Sequence, residues 1–335
     1  MARTRVAPTL EQAQAALTPA PPRGGEDLRR CYALRDAAQA KIAAGEWSAV
    51  LALRAWAAEH PLFRGPDALL RGFLRRWEEA LLSGAPLELA ATLVRDDVPT
   101  ATRCPWDRLA ARARWAELRP LLCEDAAAWS VAEGRVLRGE VLRGRSPYSG
   151  MPLRLAAWEP APALPHYTVS GASWSVRGFA SAPRPVALPP APPERPHEPA
   201  WDRLLAPWSG YPARVVKVDG TAEQALACLL GDTTVHLAAC SEHEALAALM
   251  QMHGDPAPYT EGRGMVAARR VVWRLLAELA GVGWPASAAA LRAAMAGWRW
   301  SHYDPHDPDV ICSLFLALED PRRRRAWAVN AWATD

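Results

Sequence analysis

The sequence has no close pair of cysteines. Its six, Cys31, Cys104, Cys123, Cys228, Cys240 and Cys312, are scattered, so neither a zinc knuckle nor a redox dithiol is signalled. Most of them are expected to be buried, reduced thiols, which favours a cytoplasmic protein. An uninterrupted apolar run is also missing. Met1 to Leu10 carries Arg3 and Arg5 and leads into Glu11, Gln12 and Gln14, where a secretory signal needs apolar residues, so no export is expected. The longest apolar stretch, Met265 to Trp284, is broken by Arg269, Arg270, Arg274 and Glu278. Those charges are costly at the centre of a bilayer, so the stretch predicts a soluble amphipathic helix and no membrane partner. Charge of one sign is lacking too. The 39 Lys plus Arg against 36 Asp plus Glu leave +3 over 335 residues, too little to imply a generalised nucleic-acid or acidic-membrane partner. No G-x-S-x-G elbow marks a serine nucleophile.

What is present is an ordinary globular balance, 50% hydrophobic and 22% charged, on a chain long enough for two domains. The basic residues are nearly all Arg, and Ala, Pro and Trp are abundant, a bias expected of a GC-rich bacterial genome. From Gly24 to about Glu133 runs of Ala, Leu, Arg and Glu are punctuated by Gly and Pro, which predicts helices. The first spans Glu26 to Ala44 with Gly45 as its stop. In the second, Trp47, Val50, Leu51 and Arg54 fall at i, i+3, i+4 and i+7, so the apolar stripe lasts one turn before charge interrupts it. Leu70, Phe73, Leu74, Trp77 and Leu81 repeat the stripe in a third helix closed by Gly84. Shorter helices over Leu87 to Arg95, Trp106 to Leu118 and Leu121 to Glu133 complete a bundle. No second copy at a fixed period supports a solenoid.

After Gly134, Val136, Leu137, Val141, Leu142, Leu153, Leu155, Tyr167, Val169, Trp174 and Val176 lie in short stretches bounded by Pro and Gly, which reads as short strands. Eight prolines between Pro183 and Pro199 predict a linker or an extended surface strap. Beyond it, Ala213 to Val218 and Thr234 to Ala239 read as strands, each followed by a helix capped by Thr221 or Ser241. Helices over Met265 to Ala280 and Ala286 to Ala296 follow. Strands over Trp298 to Tyr303, Val310 to Leu318 and Arg325 to Trp332 close the chain, the last two as an antiparallel hairpin. The fold class expected is α+β: an N-terminal helical bundle, a β-rich segment and a C-terminal α/β domain ending in that hairpin. The division expected is a flexible tail over 1–23, a helical domain over 24–134, a short-strand segment over 135–182, a Pro-rich linker or strap over 183–200 and an α/β domain over 201–335.

Trp158-Glu159-Pro160, Ser170-Gly171-Ala172-Ser173-Trp174, Gly262-Arg263-Gly264 with Trp273, Glu319-Asp320-Pro321 and Ala326-Trp327-Ala328 together resemble an uncharacterised bacterial family, catalogued as domain of unknown function 6183. The resemblance covers roughly Gly134 to the C-terminus. It implies that this C-terminal region is a unit and brings no activity, cofactor or partner with it.

Three constellations carry possible chemistry. His302, Asp304 and His306 alternate in Ser301-His302-Tyr303-Asp304-Pro305-His306-Asp307-Pro308-Asp309, so in an extended segment they share one side and have the donor types for a divalent metal. The same text is also ordinary turn text, and it matches no recognised ligand spacing, so no cofactor is predicted outright. Gly262, Arg263 and Gly264 precede a helix start, where free N–H groups and the dipole attract anions, with Arg269 and Arg270 nearby. A surface loop with flexible glycines is the plainer reading. Arg322 to Arg325, with Arg54, Arg71, Arg75 and Arg76 and sixteen tryptophans, have the residue types of a nucleic-acid surface, but a solvated turn and core tryptophans account for them more simply. A Cys240 and His243 pair lacks a third residue, and Ser241 with Glu242 and Glu244 reads as a capped helix start.

With no active-site grammar, the leading expectation is a non-enzymatic protein that binds another protein through its helical half, where Trp and Arg, the residues of interface hot spots, are frequent. The competing class is a hydrolase or transferase, with or without a metal, with its site near the strand ends after Val218 and Ala239.

Overall fold

The computed structural model describes residues 25–59, 68–95, 104–168, 171–173, 178–208, 211–231, 234–254, 263–304 and 310–334. The expected tail over 1–23, and the strand positions Val169, Trp174 and Val176, lie outside them. The chain divides into two units, one made of Met1–Val131 with His166–Ser173, the other of Ala132–Pro165 with Trp174–Asp335.

The first unit is helical: α1 (Gly25–Ala43), α2 (Trp47–Glu59), α3 (Ala68–Gly84), α4 (Leu87–Thr92), α5 (Pro105–Ala110) and α6 (Trp115–Leu118), then the start of α7 (Ala126–Leu137). The short hairpin β1 (His166–Thr168) and β2 (Gly171–Ser173) belongs to it. The helix ends follow local chemistry. Gly45 at φ +71° leaves α1 through a left-handed residue that a Cβ would penalise, while Gly45 N and Glu46 N bond Ile42 O and Lys41 O. The expected helix from Trp106 to Leu118 is broken into α5 and α6 by a turn at Ala111–Ala113. The core gathers the expected stripe: Phe73, Leu74, Trp77 and Leu81 of α3 pack with Leu34 of α1 and Val50 and Leu53 of α2.

Arg54 does not end the stripe of α2. It is buried and paired with the fully buried Glu78 of α3, Nη2 to Oε1 at 2.8 Å. A charge at the next stripe position sits in the core because a partner of opposite sign 24 residues away meets it there.

The second unit is built on a six-stranded sheet in the order β3-β5-β6-β7-β8-β4, comprising β3 (Arg184–Ala187), β4 (Ala213–Val218), β5 (Thr234–Cys240), β6 (Arg299–Asp304), β7 (Val310–Asp320) and β8 (Arg325–Thr334). All its neighbours are antiparallel. Its helices are α8 (Pro199–Leu205), α9 (Ala222–Leu230), α10 (Glu242–Gly254), α11 (Met265–Ala280) and α12 (Ala288–Met295). One face of the sheet presents Val216, Val218, Ala326, Ala328, Ala317 and Tyr303 to α9. The opposite face carries Trp300, Leu316, Leu318, Trp327 and Val329, also buried, on the side where α10 packs. With both faces covered, Leu314 to Leu318 of β7 and Ala326 to Val329 of β8 are apolar without a break.

The Pro-rich segment is a strap. β3 pairs with β5 at one edge of the sheet, and Arg195 bridges to Lys217 of β4 at the other. Proline is tolerated there because an edge strand needs only half its ladder. Among the described residues, most of the short strands expected after Gly134 are absent. Val136 and Leu137 finish α7, and residues 138–165 are coil with a single bridge between Arg145 and Pro152. Side chains take the role of strand neighbours. The fully buried Arg269 of α11 donates to the carbonyls of Pro152 and Arg154 and to both carboxylate oxygens of Glu159, and Arg270 pairs with buried Glu133.

Candidate functional site

His302 and Asp304 lie two apart on β6 and share a face of the sheet, as alternation requires. His302 is buried, its ring stacked on Phe179 at 4.2 Å and its Nε2 2.8 Å from Ser181 O, so Nε2 carries the proton and donates it. Asp304 is exposed. His306 lies outside the described residues, and among those described no group of three His, Cys, Asp or Glu stands where it could hold a metal ion.

Gly262 also lies outside the described residues. Gly264 precedes α11 at φ +81°. Its N–H and that of Arg263 bond Gly254 O and His253 O, so these amides close a backbone contact and are not offered to an anion. Arg269 and Arg270 point into the carboxylates described above. In the β7–β8 turn, Arg323 donates to Leu279 O and Ala280 O, satisfying the last carbonyls of α11. Arg54 is in the core, which removes it from any cationic surface.

The strand ends after Val218 and Ala239 do not flank one crevice, because β6, β7 and β8 separate β4 from β5. A cleft of about 240 Å³ near the end of β5 is lined by Pro160, Phe179, His243, Glu244 and Ala247. Its carboxylate is fully engaged. Hydrogen bonds from Ala180 N–H and from the Ser241 hydroxyl and N–H hold Glu244 ionised, with its pKa down to about 2, which unsuits it as a general base at neutral pH. Burial, with the Glu244 charge adding to it, pushes the Cys240 thiol up to about 12, so it is not a thiolate nucleophile.

The larger cleft, about 390 Å³, opens on the helical unit between α1, the start of α2 and α3. Its apolar lining includes Ile42, Trp47, Phe73 and Trp77, of which Phe73 and Trp77 are buried. The Phe73 ring is set edge-on to Tyr32 at 6.0 Å. Arg35 lies over Tyr32 at 4.8 Å and bonds Asp36 Oδ1 through Nε and Nη2. Gln39 and Arg76 lie at the exposed border of the cleft. Glu79 is already matched by Arg108 Nη2 at 3.1 Å, and Arg108 is itself buried over Tyr167.

Three donors at this cleft, the Arg76 guanidinium, the Gln39 amide and Trp47 Nε1–H, make no hydrogen bond or ion pair among the described residues. The sequence marked Phe73 and Trp77 as a core stripe and Arg76 as one basic residue among several. That α1 contributes Arg35, Gln39 and Ile42 to the same cleft had no signal in the sequence, because the pairing of α1 with α3 is a tertiary event.

Comparison with protein-family models, with curated proteins and with solved structures finds no match to this chain.

Proposed function

We propose that this is a non-enzymatic, protein-binding accessory protein of the bacterial cytoplasm, with its contact surface on the helical unit. The observation that supports the reading is the cleft between α1, α2 and α3: about 390 Å³ with two tryptophans and a phenylalanine in its lining. Concave, aromatic, donor-rimmed surfaces are where a few partner side chains concentrate binding energy. The β-sheet unit is a folded support in this reading.

The test is a photo-reactive amino acid placed at Gln39, and for comparison at the exposed Arg299 of β6, in the full chain expressed in its host. A discrete protein adduct from position 39 and none from position 299 is the expected result. No adduct from position 39 would overturn the reading.

A further inference from the structure

We infer that the partner bound in the α1–α2–α3 cleft is an acidic segment of protein, one that places a carboxylate within about one helical turn of an aromatic or branched aliphatic anchor. The inference rests on the proposed protein-binding role and names the chemistry of the partner.

The floor sets the anchor. Phe73 and Trp77 are buried, and Ile42 and Trp47 are half-buried, so a side chain entering between them exchanges water for apolar contact. The space admits one or two such side chains, being at the small end of the 300–1,000 Å³ range of ligand sites.

The rim sets the charge. Four side chains there bring N–H donors: Arg35, Gln39, Trp47 and Arg76. Two carboxylates stand nearby and both are engaged, Asp36 by Arg35 and Glu79 by Arg108. Arg75 lies 4.0 Å from the same Glu79. Among the described residues that line the cleft, the charge left over is therefore the Arg76 guanidinium, with Gln39 and Trp47 contributing neutral donors and no carboxylate without a partner. A lysine or arginine arriving here meets like charge and donors facing donors. A carboxylate meets a guanidinium that accepts it in a two-point geometry. Arg35 adds to the selection because its stacking on Tyr32 and its bond to Asp36 hold it in place before a partner arrives.

The test is selection of a displayed library of random 12-residue peptides on the immobilised full chain, followed by fluorescence anisotropy with the best binder. The expected result is enrichment of Asp or Glu three or four residues from Trp, Phe, Leu, Ile or Met. The binder should lose at least tenfold in affinity with Arg76→Glu and regain it when its own acidic residue is changed to lysine. Arg76 is exposed on α3, so the variant should keep the parent melting temperature to within a few degrees, and the charge-swapped peptide shows directly that its cleft is intact. Enrichment of apolar peptides with no acidic preference, unchanged by Arg76→Glu, would overturn the inference and leave the protein-binding role standing on its adduct at position 39. No enrichment, or selection of basic peptides, would overturn it equally. Dimerisation of the chain abolished by Arg76→Glu would replace the peptide with a second copy.

Discussion

Arg54 and Glu78 show what one residue can conceal. Arg54 taken alone reads as the interruption of a helix stripe, yet it and Glu78 are both buried and their side chains meet at 2.8 Å. Taking both out of water costs several kcal/mol per ion, and their mutual attraction offsets this only while both are present. Glu78→Ala is therefore expected to destabilise the protein by about 3–5 kcal/mol, because it leaves a buried guanidinium without its carboxylate. Arg54→Met combined with Glu78→Leu should lie within about 1 kcal/mol of the parent or above it, because the double change removes both desolvation costs. Urea unfolding of the parent, the single and the double variant measures this. A single variant no less stable than the double would show that the pair is not coupled. Arg269 with Glu159 repeats the arrangement in the second unit, where two backbone carbonyls complete the guanidinium's partners.

Among the elements, α10 has the most explicit start. Glu244 N–H bonds the Ser241 hydroxyl, and the Glu244 carboxylate returns to Ser241 N–H, the reciprocal arrangement of a capping box. The second carboxylate oxygen accepts Ala180 N–H and so ties the segment before β3 to the helix. These hydrogen bonds favour the charged form and lower the carboxyl from its ordinary 4.5 to about 2. A carboxyl with a depressed folded pKa contributes stability that is fully present above its unfolded pKa and is lost as pH falls through the folded one. Glu244→Ala should cost about 0.5–2 kcal/mol at pH 7, in the range of a lost cap. Between pH 4.5 and 2 its stability should converge on that of the parent. Thermal melts across that interval give the answer, and a difference that persists unchanged to pH 2 would mean the carboxylate is not what stabilises the cap.

At the scale of the whole molecule, the strap decides whether the Pro-rich segment behaves as a linker. A linker is cut early by proteases because its backbone is free to enter the enzyme. Here residues 184–187 are hydrogen-bonded to β5, Arg195 N–H is bonded to Lys217 O, and the Arg195 side chain holds Asp219 at 2.9 Å. Brief digestion with a protease of broad specificity should therefore not make its first cut between Pro183 and Pro199, as N-terminal sequencing of the fragments would show. A first cut inside the strap would mean that the segment behaves as a linker, the other of the two roles that its density of proline allows. The same edge has a second fastening, where Glu198 accepts from Lys217 Nζ at 2.6 Å and from Trp327 Nε1 at 2.7 Å.

Features that depend on neighbours within a turn or two can be read directly from the chain's local pattern. The capping of α9 by Thr221, the start of α10 at Ser241, the left-handed exit at Gly45 and the β7–β8 hairpin are all legible there, because their hydrogen bonds close over a few residues. The helical N-terminal half and the mixed α and β C-terminal half follow from the same local patterns. Tertiary packing set the strand order, in which three strands lie between β4 and β5. It alone decided which arginines are buried, since Arg54 finds Glu78 at a separation of 24 residues and Arg269 finds Glu159 at 110. The cleft belongs to this second group. Periodicity marks Phe73 and Trp77 as apolar and Arg76 as polar, but a concave surface with donors on its rim exists only where α1, α2 and α3 pack, and no pattern within one helix encodes the approach of another.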